Sequence, residues 1–131
     1  MCAVRILLDS HALIWAVDDP SKLGQRADVV LRDANNELLM SAGTVWELAI
    51  KIGLGKLSLS EPFRQWMAKA MTDLGLTILP ITVDHADEQS KLPNHHGDPF
   101  DRLLIAQARI EGLTIVSGDS VFDQYGAARV W

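Results

Sequence analysis

The sequence predicts an α/β fold: a central, mainly parallel sheet of four to five strands with helices on both faces. Three observations carry this. Short apolar runs alternate with segments of helical length, as in β-α-β chains. Several runs, such as Ile6-Leu7-Leu8 and Leu38-Leu39-Met40, are unbroken rather than alternating, which marks strands buried on both faces. Gly, Pro, Asn and Asp punctuate the segments between them.

Residues 4–8 form the first strand, which stops at Asp9. Residues 11–17 are helical, and Asp18-Asp19-Pro20-Ser21 turns the chain. A helix over 25–34 closes at Asn35-Asn36, and a second strand covers 37–41. A helix over 43–53 runs into Gly53 and Gly55. Ser60-Glu61-Pro62 has the composition of a helix start, with Ser as N-cap, and that helix reaches Leu74 before Gly75. The third strand is Leu76–Ile81, followed by a short helix over 83–91 and a loop over 92–97. A helix from Pro99 to Glu111 stops at Gly112, Leu113–Val116 is the fourth strand, and Ala128–Trp131 supplies a fifth at an edge.

With 131 residues, 48% of them hydrophobic, the chain is expected to be one domain over 1–131, since single cores hold about 100–150 residues. The single cysteine, Cys2, excludes an internal disulfide, and no Cys/His zinc spacing occurs. The short apolar run before Asp9 does not make a signal peptide, and no stretch has the length of a membrane span. A cytoplasmic protein is expected. The net charge of −5 and pI near 5.2 argue against a nucleic-acid binder that grips through a basic face.

The acids are placed with more order than the charge count shows. Asp9 ends the first strand, and Asp119 follows the fourth after Ser117-Gly118. Glu47 lies on the helix after the second strand, and Asp98 and Asp101 open the 99–111 helix. A parallel sheet gathers ligand sites at the carboxyl ends of its strands, so these side chains can converge. Converging carboxylates repel unless protonated or bridged by a cation, and an all-oxygen donor set selects Mg²⁺ or Mn²⁺ over Zn²⁺. Each acid also fits a structural role. Thr44-Val-Trp-Glu47 has capping-box spacing, Asp98-Pro99-Phe100-Asp101 reads as N-cap, Pro at N1 and acid at N3, and Asp119 suits a turn or N-cap. Asp9 gains least from such a role, although it too can cap the next helix. From the residues alone both readings stand.

Four segments carry a resemblance to a known family: Leu7-Leu-Asp-Ser-His-Ala-Leu-Ile-Trp15, Ser41-Ala-Gly-Thr-Val-Trp-Glu-Leu-Ala-Ile-Lys51, His96-Gly-Asp-Pro-Phe-Asp-Arg-Leu-Leu-Ile-Ala-Gln-Ala108 and Ile115-Val-Ser-Gly-Asp119. In this order, and over nearly the whole chain, they resemble the PIN-domain ribonucleases, and within them the VapC-like toxins of type II toxin–antitoxin pairs. The resemblance implies a PIN-like three-layer α/β/α sandwich. It implies that Asp9, Glu47, Asp101 and Asp119 are catalytic, metal-binding acids, with Asp98, Ser117 and His96 in support. It implies Mg²⁺ or Mn²⁺ as cofactor and hydrolysis of phosphodiesters in structured RNA, often transfer RNA. A homodimer and a VapB-like antitoxin, whose C-terminal segment blocks the site, come with it. Bound divalent ions would invert the local sign of an acidic site, and Lys51, Lys56, Arg64, Lys69 and Arg102 are candidate phosphate contacts.

Other residues are assigned less. Asp123 is a secondary acid near Asp119, and His95 and His96, being adjacent, point different ways and do not share a metal. His11 is read as a packing or supporting residue. Trp15, Trp46, Trp66 and Trp131 are read as core or interface residues, with Trp15 and Trp46 as candidates to line a partner's groove. A phosphatase of the haloacid-dehalogenase type needs a second Asp where His11 stands, and a phosphoreceiver domain needs an acidic pair after strand one that is missing here. A PIN nuclease of RNA processing, or a non-catalytic binding module on the same fold, remain as alternatives.

Overall fold

The computed structural model describes residues 4–131; Cys2 lies outside the described residues. The chain runs β1 (Arg5–Leu8), α1 (Ser10–Asp18), a 3₁₀ turn (Pro20–Lys22), α2 (Gln25–Arg32), β2 (Glu37–Ser41), α3 (Ala42–Gly53) and α4 (Phe63–Leu74). It continues through β3 (Thr77–Leu79), α5 (Val83–Ser90), α6 (Pro99–Glu111), β4 (Thr114–Val116), a second 3₁₀ segment (Ser120–Tyr125) and β5 (Arg129–Val130). The five strands pair in parallel in the order β3-β2-β1-β4-β5. The expected α/β architecture with a parallel sheet is therefore found, with β5 at an edge.

Strand periodicity divides the core in two. Ile6, Leu8, Leu38, Met40 and Val116 face Ala12 and Leu13 of α1, Ala27 of α2, Leu48 of α3, and Trp66, Met67 and Ala70 of α4. Leu7, Leu39, Leu79 and Ile115 face the other way, onto Leu104, Ile105 and Ala108 of α6 and onto Phe122 and Tyr125. Residues such as Leu7 and Leu8 are wholly removed from water, each contributing about 1.5–3 kcal/mol. The chain steps outward from β1 to β3 along one face, then crosses to β4 over the other, which puts the reversal of strand order between β1 and β4.

Two expectations are corrected. Ser60 does not start a helix; α4 begins at Phe63, and Ser60 donates its hydroxyl and backbone N–H to Asp18. The third strand is three residues long rather than six, because Pro80 has no N–H to donate to a ladder. Elsewhere boundaries move by one or two residues.

Candidate active site

The reversal between β1 and β4 is the place where open α/β sheets form ligand crevices. Asp9 stands there, tied by its backbone N–H to the carbonyl of Val116 at 3.2 Å. Its carboxylate is 5% exposed and accepts the Ala12 N–H at 2.8 Å, so it does cap α1. Burial pushes its pKa up, and the nearby charge of Glu47 adds to this. Hydrogen bonds from Ser117 and Ala12 and the field of His11 oppose the rise without cancelling it.

Glu47 is 4% exposed and lies inside α3, not at its start. Ser41 is the N-cap, accepting the Gly43 N–H at 3.0 Å, so the capping-box reading of Thr44 and Glu47 is excluded. The Lys51 ammonium, one turn on, donates to Glu47 at 2.9 Å. Gly43 sits against α6: a Cβ there would stand 2.4 Å from Leu103 Cδ2. This close approach of α3 to α6 brings Glu47 towards the first turn of α6.

In that turn Asp101 meets His96, with Nε2 2.8 Å from Oδ2. Burial raises the Asp101 pKa to about 6; the His96 hydrogen bond resists, and the charges of Asp98 and Asp9 reinforce it. Asp98 caps α6 through Oδ1, which accepts the N–H of Phe100 at 2.8 Å and of Asp101 at 3.3 Å. Donor atoms of His96, Asp98 and Asp101 all lie within 4.8 Å of one another, the one such group of three among the described residues.

Asp119 occupies the other side of Asp9. It is exposed, caps the second 3₁₀ segment through the Val121 N–H at 3.0 Å, and its own N–H donates to Ser117 Oγ at 3.0 Å. The buried Ser117 hydroxyl therefore links Asp9 with Asp119. Asp9 and Asp119 line one cleft of about 640 Å³ with His11, Trp15, Lys22 and Trp131. The fold thus gathers Asp9, Glu47, Asp98 and Asp101 electrostatically, and joins Asp119 to them through Ser117 and the cleft.

Helix capping and clustering coexist because a carboxylate has two oxygens. In Asp98 and Asp119 one oxygen is held by backbone N–H, which fixes the side chain, and the other stays available; in Asp9 the Ala12 N–H holds Oδ1, and Ser117 donates as well. The charge is poorly compensated. Lys51 is the cation most engaged with it, its pKa raised by the hydrogen bond to Glu47 against burial and further by Asp98 and Asp101. Carboxylates pushed towards protonation by burial and by one another are a donor set that a hard divalent cation satisfies. The residues present fit Mg²⁺ or Mn²⁺.

Several secondary candidates are reassigned. Arg102 is no free phosphate contact: its guanidinium donates to the carbonyls of Gln89, Leu92, Pro93 and His96 and to the Tyr125 hydroxyl, fixing the loop that carries His96. Asp123 is held by Arg129 through two hydrogen bonds, at 2.9 and 3.0 Å, which lower its pKa. His95 packs edge-on against Tyr125. Trp66 is core, whereas Trp46 is 65% exposed beside Phe100. Lys22 and the cleft position of Trp131 were not legible, since both join the cleft of Asp9 only through tertiary packing.

Residues 6–128 match the PIN domain family. Ribonuclease VapC22 of Mycobacterium tuberculosis is 30% identical over 115 residues, 87% of this chain and 86% of that protein. Ribonuclease VapC16 of the same organism is 39% identical over 57 residues, 44% of this chain and 39% of that protein. Among solved structures, VapBC2 from Rickettsia felis bound to a promoter DNA fragment superposes with a TM-score of 0.69 at 16% identity, covering 97% of this chain and 98% of that one. M. tuberculosis VapC20, a sarcin–ricin loop cleaving toxin, superposes at 0.66 and 15%, covering 95% and 98%. The structural likenesses establish the fold; the family match and the VapC22 identity establish descent, and the chain belongs to the PIN-domain family, among its VapC-type members.

Proposed function

We propose that this protein is a divalent-metal-dependent endoribonuclease, the toxin of a toxin–antitoxin pair. The observation that carries the reading is the convergence of Asp9, Glu47 and Asp101, two of them with raised pKa values, at the strand reversal. Asp9, Glu47, Asp101 and Asp119 would hold Mg²⁺ or Mn²⁺. When bound, such an ion lowers the pKa of a water and neutralises charge on a phosphodiester.

The chain's own residues prepare that site. Ser117 fixes Asp9 and Asp119 relative to each other. His96 orients Asp101 through their 2.8 Å hydrogen bond, and Asp98 holds the first turn of α6. Lys51 neutralises Glu47, and Lys22 brings a cation to the cleft where phosphate approaches. Products carry 5′-phosphate and 3′-hydroxyl ends. The substrate class is structured RNA cut in a single-stranded loop, with transfer RNA first. A VapB-like antitoxin, whose C-terminal segment covers the site, and a homodimer in the cytoplasm complete the reading. VapBC complexes are among the proteins of the same fold, and no helix of the described residues is long and apolar enough to cross a membrane.

The test is cleavage of a total transfer RNA pool with Mg²⁺ or Mn²⁺ and then with EDTA, beside Asp9→Asn protein purified in parallel. Discrete fragments that need metal and vanish in the variant are expected. Equal fragments from both proteins, or none with either metal, would overturn the reading.

A further inference from the structure

The cleft beside Asp9 has a wall that metal binding does not use. Trp131 is wedged into it. Its backbone oxygen accepts the N–H groups of Arg26 at 3.2 Å and Ala27 at 3.3 Å, at the start of α2. Its indole lies on the bare backbone of Gly118, where a Cβ would come within 3.0 Å of Cε2. A Cβ at Gly24 would fall 2.4 Å from the Trp131 carbonyl carbon. Trp15 meets Trp131 at 5.7 Å with the rings tilted 54°, and His11 meets Trp15 at 5.7 Å, tilted 45°. Tilted contacts leave part of each ring face free. Trp15 is half-buried and His11 exposed, and both line the cleft rather than being sealed in the core. Exposed Lys22 shares the cleft, its ammonium 3.9 Å from Asp19, a long and easily surrendered pairing.

We propose that this wall is a base-stacking platform: an unpaired RNA base beside the scissile phosphate stacks on Trp15, bordered by Trp131 and His11, while Lys22 meets the backbone. The inference rests on the ribonuclease reading and adds to it the recognition of one nucleotide. The cleft's chemistry favours a nucleotide over an apolar peptide side chain. Its about 640 Å³ falls within the roughly 300–1,000 Å³ of small-ligand sites, and it joins aromatic faces to a cation and to Asp9 and Asp119. An apolar side chain would use the rings and leave Lys22 with only its long pairing to Asp19. Stacking on indole accepts any base and is graded by stacking strength, so cleavage sites should carry an unpaired base with a purine preference rather than a fixed sequence.

The test uses the structured RNA in which the cut site is mapped, and the same RNA with an abasic residue beside that site in its loop. Wild-type, Trp15→Phe and Trp15→Ala chains are compared. Trp15→Ala should raise KM about 5- to 100-fold with kcat held within about threefold, and Trp15→Phe should fall between. The abasic RNA should raise KM for the wild type by a similar factor and add little for Trp15→Ala. Titration of RNA in EDTA at low salt should quench tryptophan fluorescence in the wild type and less in Trp15→Phe. A KM unchanged by Trp15→Ala in an otherwise normal nuclease removes the platform alone. Loss of antitoxin co-purification with unchanged KM reassigns the wall to protein and also removes it. A wild-type chain that neither cleaves RNA nor is quenched by it removes the ribonuclease reading, and this inference with it.

Discussion

Helix α1 carries a carboxylate at each end, and the fold treats them in opposite ways. Asp9 stands at the N-terminus, where the helix dipole welcomes negative charge, and Asp18 at the C-terminus, where it does not. On that ground alone Asp9 should be the stronger acid. The structure reverses the order. Burial raises the Asp18 pKa too, but Ser60 Oγ at 2.6 Å, Trp66 Nε1 at 2.9 Å and Ser60 N–H at 3.1 Å donate to it and hold it below the usual range. Asp9 is buried deeper, has fewer donors, faces Glu47, and rises. An acid kept for stability is surrounded by donors. A buried acid left short of them is one whose missing charge a ligand can supply.

The largest expected effect separates the two ends. Asp9→Asn should lower metal-dependent RNA cleavage at least about 100-fold, since even outer partners of metal ligands are worth 10- to 100-fold. Its stability should be unchanged or higher, because Asn still caps α1 and no buried charge remains. Asp18→Ala should do the reverse. It leaves the Trp66 N–H unpaired beside the core and should cost about 1–3 kcal/mol in denaturant unfolding, with kcat unchanged wherever the protein is folded. Loss of cleavage from Asp18→Ala at a temperature where circular dichroism shows a folded chain would contradict the division.

The same contrast can be drawn with pH and metal. Asp101, raised from 3.8 to about 6, binds its proton more tightly in the folded chain than in the unfolded one. Its contribution is fully present below pH 3.8 and is lost as pH climbs through 6, about 2–3 kcal/mol at most without metal. Asp18, lowered, acts oppositely: its contribution is present above pH 3.8 and lost as pH falls below that value. Metal should reverse only the first. At about 100 times its dissociation constant Mn²⁺ should stabilise the chain by about 2.7 kcal/mol, more at pH 7 than at pH 5, and Asp101→Asn should remove most of that gain. A thermal shift independent of pH, or equal in Asp101→Asn, would argue that the ion binds elsewhere.

How much of this could be read in advance depends on the range of the interaction. The unbroken runs around Leu7 and Leu39 identify buried strands, and Pro99 and Gly112 bracket α6, because those signals are local. Asp9, Asp98, Asp101 and Asp119 were locatable for the same reason, each standing at a strand end or a helix start, whereas Glu47 lies inside α3. Ser60 misled because its partner, Asp18, is 42 residues away. The capping-box alternative for Glu47 had the right local spacing, but α3 starts one turn earlier, at Ser41. Arg102 looked like a free cation, but its acceptors are backbone carbonyls of a loop whose path no pattern records. Arg102→Ala should therefore act on the site indirectly, costing about 2 kcal/mol of stability. It should speed amide exchange over residues 92–97, and Arg102→Lys should not rescue the loss, since a point charge cannot reach several carbonyls at once.

The smallest effect belongs to Lys51, and its direction is the most informative. Lys51 pairs with Glu47 and feels Asp98 and Asp101 as well, so it would compete with a divalent ion for the same carboxylates. Lys51→Met keeps the length and apolar stem of the side chain and removes the charge. If Lys51 acts only as that counter-charge, Mn²⁺ should bind severalfold more tightly, a gain of about 1 kcal/mol, with kcat little changed. If Lys51 also meets the RNA backbone when the ion displaces it from Glu47, the tighter metal binding should come with a higher KM for RNA and a shallower salt dependence. Calorimetry with Mn²⁺ alone and cleavage at two salt concentrations separate these outcomes. Weaker metal binding in Lys51→Met would mean instead that the ammonium holds Glu47 in the position from which it binds the ion.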